Sequence, residues 1–162
     1  MMINKQTLHL TIEQALTETL NTAIQAAAQA RSSATDQENK AENKYDTLGL
    51  EASYLAEGQS RRVTECEENI SIFNKLKAQS FGPEDEIQLG ALVQLIDQDD
   101  KHKFVFLSPV AGGVCIEHDS NTIMLITLSS PLGKRLQGAS EGDEVTLRQN
   151  DKKQVYEIHK LY

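Results

Sequence analysis

Glycine and proline are spread so unevenly along this chain that a single structural type cannot run through it. Residues 1–80 contain no Pro and two of the nine Gly, whereas residues 81–162 hold all three Pro and the other seven Gly. Both residues interrupt regular structure, Pro by losing its N–H and Gly by its backbone freedom. The first stretch is dense in Ala, Gln, Glu and Leu, which suit helices, while the second sets β-branched runs between turn residues. The change falls at Gln79-Ser80-Phe81-Gly82-Pro83, which reads as a linker. The expectation is an α+β chain, helical over residues 1–80 and mostly β over 84–162.

In the first part, Thr11 is a candidate N-cap, with Gln14 three residues on as its reciprocal partner. Ile12, Ala15, Leu16, Leu20, Ala23, Ile24, Ala27 and Ala30 then recur at spacings of three and four. This is one narrow, Ala-rich apolar stripe, so a partner helix can approach closely. The stripe stops near Arg31. Ser32 to Lys40 is polar, and Thr35-Asp36-Gln37-Glu38 has the capping-box spacing of a new helix. A second stripe follows at Leu48, Ala52, Leu55, Gln59, Arg62 or Val63, Cys66, Ile70 and Phe73. Two long helices joined by a short polar turn pack antiparallel, which predicts a two-helix coiled-coil hairpin with its tip at about 33–46. Arg61 and Arg62 lie near the seam, where an opposing Glu13 or Glu18 would pair with them.

The second part predicts strands over 87–96, 103–107, 114–116, 122–127, 144–148 and 154–158. Between the fourth and fifth, Ser130 as N-cap, Pro131 at the first helical position and Gly138 as a stop mark a short helix. The expected product is a small antiparallel sheet with one helix on it.

Charge narrows the function classes. With 16 basic against 24 acidic residues the net charge is −8, opposite to what phosphate neutralisation asks of a free-standing nucleic-acid binder. Nucleic acid is therefore expected only indirectly. No apolar run approaches the ~20 residues of a membrane span, the first ten residues do not read as a secretory signal, and Cys66 and Cys115 lack metal-ligand neighbours. These features predict a cytoplasmic monomer without membrane association. His9, His102, His118 and His159 are scattered without paired spacing, and Ser108 to Gly113 lacks the Lys-Ser/Thr pair of a phosphate-binding loop. No nucleophile, base and orienting acid are suggested, so no catalytic residue of its own is expected.

Ser130-Pro131-Leu132-Gly133, Leu136, Gly138, Glu141-Gly142-Asp143-Glu144-Val145 and Tyr156-Glu157-Ile158 resemble the C-terminal signature of the GreA/GreB family of bacterial transcription elongation factors. Glu42-Asn43 is similar to the acidic Glu-Asn of that family's hairpin tip, and Glu57-Gly58 follows fifteen residues later, the family's own separation. The resemblance implies an FKBP-like C-terminal domain that docks on bacterial RNA polymerase. It also implies a hairpin that enters the secondary channel and a factor that acts on the polymerase without being an enzyme itself. Ser130, Pro131, Lys134, Arg135 and Gln137 are the implied docking residues. Glu42, with Asp36, Glu38 and Asp46 beside Asn39 and Asn43, forms the implied acidic tip.

In the family such a tip helps hold a Mg²⁺ shared with the polymerase, since carboxylates are hard oxygen ligands. No cofactor is expected on the chain alone. The family carries Asp three residues before the Glu, where this chain has Asn39, a neutral and weaker ligand, and Lys40 and Lys44 oppose a cation. Channel occupancy that modulates elongation or initiation is therefore the stronger expectation, and stimulation of transcript cleavage the weaker. Two alternatives stand beside it. One is a coiled-coil adapter without catalytic role. The other is a prolyl isomerase, which would need an aromatic-lined pocket from few residues: Phe104, Phe106, Tyr156 and Tyr162.

Overall fold

The computed structural model describes residues 3–40, 47–149 and 152–162, with side chains left aside at 37–40, 48 and 149. The chain packs as two compact units: residues up to Glu13 together with Ile72–Tyr162, and Gln14–Ser71. The expected boundary at residues 80–84 followed composition. Packing instead places the first turns of the N-terminal helix, and the end of the second helix, with the β-rich part.

Helix α1 spans Lys5–Lys40 and α2 spans Thr47–Phe73. Asn4, not Thr11, caps α1: its Oδ1 accepts from the Gln6 and Thr7 amides at 2.9 and 3.3 Å. Thr11 is interior, its hydroxyl donating back to the Thr7 carbonyl at 3.0 Å. Nor does a new helix begin at Thr35, whose hydroxyl donates to the Arg31 carbonyl at 3.1 Å while α1 runs on to Lys40. Gln, Glu, Asn and Lys are compatible with helix, and without Gly or Pro a capping-box spacing does not end one. The expected tip at 33–46 thus begins no earlier than the end of α1, and residues 41–46 lie outside the described residues.

Within the helical unit, Ala23, Ala27, Ala30 and Ala34 of α1 are buried, as is Cys66 of α2. Residues 26–33 of α1 share a cavity with Ala52, Leu55 and Gln59 of α2, so late residues of one helix lie beside early residues of the other, as an antiparallel pair requires. Arg61 and Arg62 find carboxylates on their own helix, Glu57 at 2.6 Å and Glu65 at 3.1 Å respectively. Both pairs are exposed and contribute at most about 0.5 kcal/mol each.

The globular unit holds a six-stranded sheet: β1 Leu92–Asp97, β2 His102–Leu107, β3 Cys115–His118, β4 Asn121–Ile126, β5 Glu144–Gln149 and β6 Lys152–Leu161. Helix α3, Pro131–Leu136, lies between β4 and β5 in sequence. The spatial order is β3-β4-β2-β1-β6-β5. The sheet is mixed rather than antiparallel throughout, because β2 pairs with β4 in parallel from Phe104↔Ile123 to Leu107↔Ile126. Residues 108–120, carrying β3 at the edge, form the crossover such a pairing needs. The expected first strand from Ile87 begins at Leu92, since Gly90 takes φ +86° and the Ala91 amide closes a turn on the Gln88 carbonyl.

Alternation along β1 and β2 divides the sheet into two faces. Val93, Leu95, Val105 and Leu107 pack in one cluster with Leu136 of α3, Val145, Tyr156 and Ile158. On the other face, Phe106 meets Phe73 and His9, with ring centroids 6.3 and 5.6 Å away. Leu8, Ile12 and Phe106 are each fully shielded. Burial of each is worth about 1.5–3 kcal/mol, so the start of α1 is core for the sheet.

Candidate functional site

The signature residues build the start, the close approach and the end of helix α3. Ser130 is the N-cap: its Oγ accepts from the Gly133 amide at 3.0 Å and donates to the Thr127 carbonyl at 2.7 Å. Pro131 occupies the first turn, where its missing N–H costs nothing. Gly133 brings the helix against residue 127 so closely that a Cβ would overlap the Thr127 carbonyl oxygen. Past the helix, Gly138 takes φ +78° and its amide donates to the Ile87 carbonyl at 2.9 Å.

The remaining signature residues also do structural work. The Asp143 carboxylate accepts from the Ser140 amide at 2.9 Å, and Glu141 Oε1 accepts from the Leu161 amide at 2.7 Å. With Gly133 and Leu136 turned inward, Lys134, Arg135 and Gln137 stand exposed on the outer face of α3. Of the five predicted docking residues, Ser130 and Pro131 build the start of α3, Lys134 and Arg135 are exposed on it, and Gln137 is exposed as its C-cap.

Beside that helix, Leu132 helps line a cavity of about 400 Å³ whose other walls include Leu95, Val105, Met124, Cys115 and Tyr156. Met124, one of these lining residues, is 45% exposed. Lys103 is also among the lining residues, its ammonium 3.3 Å from the Tyr156 hydroxyl and 3.4 Å from an Asp97 carboxylate oxygen. The Asp97 carboxyl is held below its ordinary range, chiefly because the Lys101 amide donates to it. With Asp97 already balancing the Lys103 ammonium, the largely apolar walls suit an apolar side chain.

The acidic positions fare differently. Asp36 is exposed on α1, and Glu38 and Asn39 belong to the same helix. Glu42, Asn43 and Asp46 lie outside the described residues. Among the described residues no three His, Cys, Asp or Glu side chains converge as a metal site. No described helix is long and apolar enough to cross a membrane.

Lys5 is not singled out from sequence, and His9 is named there only as one of four scattered histidines. The Lys5 ammonium donates to the carbonyls of Gly90 at 2.5 Å and Tyr162 at 3.0 Å, and burial pushes its pKa down to about 8. Burial, then the Lys5 charge, lowers that of His9. A signal existed: Leu8 extends the Ile12–Leu16 stripe backwards, placing Lys5 where an apolar residue belongs.

Residues 82–162, half of the chain, match the family model described as transcription elongation factor, GreA/GreB, C-term. The chain belongs to the GreA/GreB family. The transcription elongation factor GreA of Aliarcobacter butzleri (strain RM4018) is 31% identical to it over 80 residues, 49% of this chain and 47% of that protein. The chain thus spans about half the length of the curated relative it matches. Among solved structures, the GreA factor homolog 1 (Gfh1) of Thermus thermophilus is 23% identical, with a TM-score of 0.39 over 93% of this chain and 94% of that one. Gfh1 of Thermus aquaticus is 20% identical, with a TM-score of 0.41 over 92% of each chain. Membership in GreA/GreB rests on the match over 82–162 alone.

Proposed function

We propose that this GreA/GreB-family chain acts on bacterial RNA polymerase as an accessory factor, without an active site of its own. The globular unit docks through the outer face of α3 and the apolar cavity beside it. The hairpin enters the secondary channel and modulates elongation. The observation that carries this reading is the construction of α3: Ser130, Pro131 and Gly133 fix a helix whose exposed residues are Lys134, Arg135 and Gln137, next to a cavity suited to an apolar side chain.

For the tip, the donor set is Glu42 with Asp36, Glu38 and Asp46, and a neutral Asn39. Carboxylates of this kind would hold a divalent cation of the polymerase. Replacing one by an amide weakens that hold, so the proposal favours occupancy of the channel over stimulated cleavage.

The test combines capture of purified cognate polymerase with a cleavage assay on a stalled, backtracked elongation complex. Lys134→Glu/Arg135→Glu is expected to lose capture on the order of tenfold or more, each reversal removing a charge-assisted contact. The parent chain is expected to bind and leave the transcript largely intact, and Asn39→Asp to gain cleavage that Glu42→Ala abolishes. Absence of capture by the parent chain sinks the proposal. The adapter reading would then lead, favoured by Leu50, Tyr54 and Leu55 of α2, which are 56, 66 and 58% exposed.

A further inference from the structure

A second cavity, of about 580 Å³, opens beside β5 and is lined by Arg135 of α3, Glu144, Val145, Thr146 and Arg148 of β5, and Lys153 of β6. Its charge is unusual for this chain. Three cations from three elements meet one carboxylate, in a sequence where acids outnumber bases by 24 to 16. Arg148 and Lys153 are direct cross-strand partners in the β5–β6 ladder. Like charges placed directly opposite destabilise a sheet. Among the described residues, none of the three cations forms an ion pair that would relieve this.

We propose that this cavity binds a small oligophosphate anion, a pyrophosphate or triphosphate group, through Arg135, Arg148 and Lys153. Two guanidinium forks and an ammonium supply charge-assisted donors to several phosphate oxygens at once. A multivalent anion also removes the Arg148–Lys153 repulsion, so the unfavourable pairing in the free protein becomes binding energy in the complex. A cavity of this volume is the size of a small-molecule site. A nucleic-acid strand fits worse: continuing along β5 it meets Glu144, which itself faces Glu157 across the ladder, and then Asp143. The site is distinct in chemistry from the apolar seat beside Leu132, although Arg135 borders the docking face.

The experiment is calorimetric titration of the full chain with pyrophosphate, triphosphate and orthophosphate. Amide chemical-shift mapping and an arm with a single-stranded oligonucleotide accompany it. Pyrophosphate and triphosphate are expected to bind more tightly than orthophosphate, with affinity that falls as salt rises, and to shift amides of 144–148 and 153–155. Arg148→Gln and Lys153→Gln are each expected to weaken binding on the order of tenfold. The unliganded melting temperature of Arg148→Gln should equal or exceed the parent's, because a like-charge contact is gone, which separates lost binding from lost folding. The assignment is overturned if pyrophosphate leaves these amides unmoved, if neither variant changes affinity, or if the oligonucleotide binds and pyrophosphate does not.

Discussion

Gly133→Ala is expected to destabilise the globular unit by on the order of 3 kcal/mol, a drop in melting temperature of roughly 10 °C for a chain of this length. A Cβ at this position overlaps the Thr127 carbonyl oxygen and comes within 2.9 Å of Ser130 Oγ. Neither neighbour can step aside cheaply. The Thr127 carbonyl already accepts from the Ser130 amide at 3.0 Å and from its hydroxyl at 2.7 Å, and Ser130 Oγ also caps Gly133. The helix must therefore lift, and lifting it exposes Leu136, which is fully buried in the core cluster. Ser130→Ala, which removes the cap without a clash, should cost about 1 kcal/mol. Thermal denaturation followed by far-UV circular dichroism compares the two, and a Gly133→Ala protein that melts with the parent would contradict this account of α3.

Stability should also rise with pH between about 8 and 10, by up to ~3 kcal/mol. Lys5 is 5% exposed, and its pKa is pushed by burial from 10.5 to about 8. In the unfolded chain the amine keeps its ordinary value. Between the two values the unfolded state holds more protons than the folded one, so raising the pH favours folding; below about 8 both states are charged and the cost is fully present. The two carbonyls and the Phe81 and Phe106 rings, 5.4 and 5.3 Å from the ammonium, offset part of that cost. Above pH 10 a contribution of opposite sign enters, because burial raises the Tyr162 hydroxyl and its ionisation then favours the unfolded chain. Urea denaturation at pH 7.5, 8.5 and 9.5 would show the rise. Lys5→Met should flatten it, and a parent profile already flat over this range would show that the amine is better solvated than its burial implies.

Much of the α3 region was legible in the sequence because its chemistry is local. Ser130 and Pro131 act on residues within a turn of themselves, Gly138 ends the helix through its own φ of +78°, and cap, first-turn and stop signals are read at that range. Thr11 and Thr35 carry similar local signals and yet sit inside α1, where a hydroxyl can donate back to the carbonyl four residues earlier. The difference lies in the helix breakers nearby. Pro131 and Gly138 bracket α3, whereas no Gly or Pro interrupts residues 1–40, so nothing forces the chain out of the helix. The strands were visible as β-branched runs, but the parallel pairing of β2 with β4 was not, since direction between strands is set by a crossover and leaves no periodicity behind.

By itself, the sequence determined the division into an Ala-rich helical part and a Gly- and Pro-punctuated β part, the cap and the stop of α3, and the family. Each of these depends on residue type and short spacing. Tertiary structure alone decided that the first turns of α1 are core of the globular unit, that the Lys5 ammonium finds the Gly90 and Tyr162 carbonyls as its acceptors, and that Arg135, Arg148 and Lys153 line one cavity. Those juxtapositions join residues far apart in sequence. Such contacts form when apolar surface is buried collectively, and no local pattern encodes which distant side chains that burial will bring together.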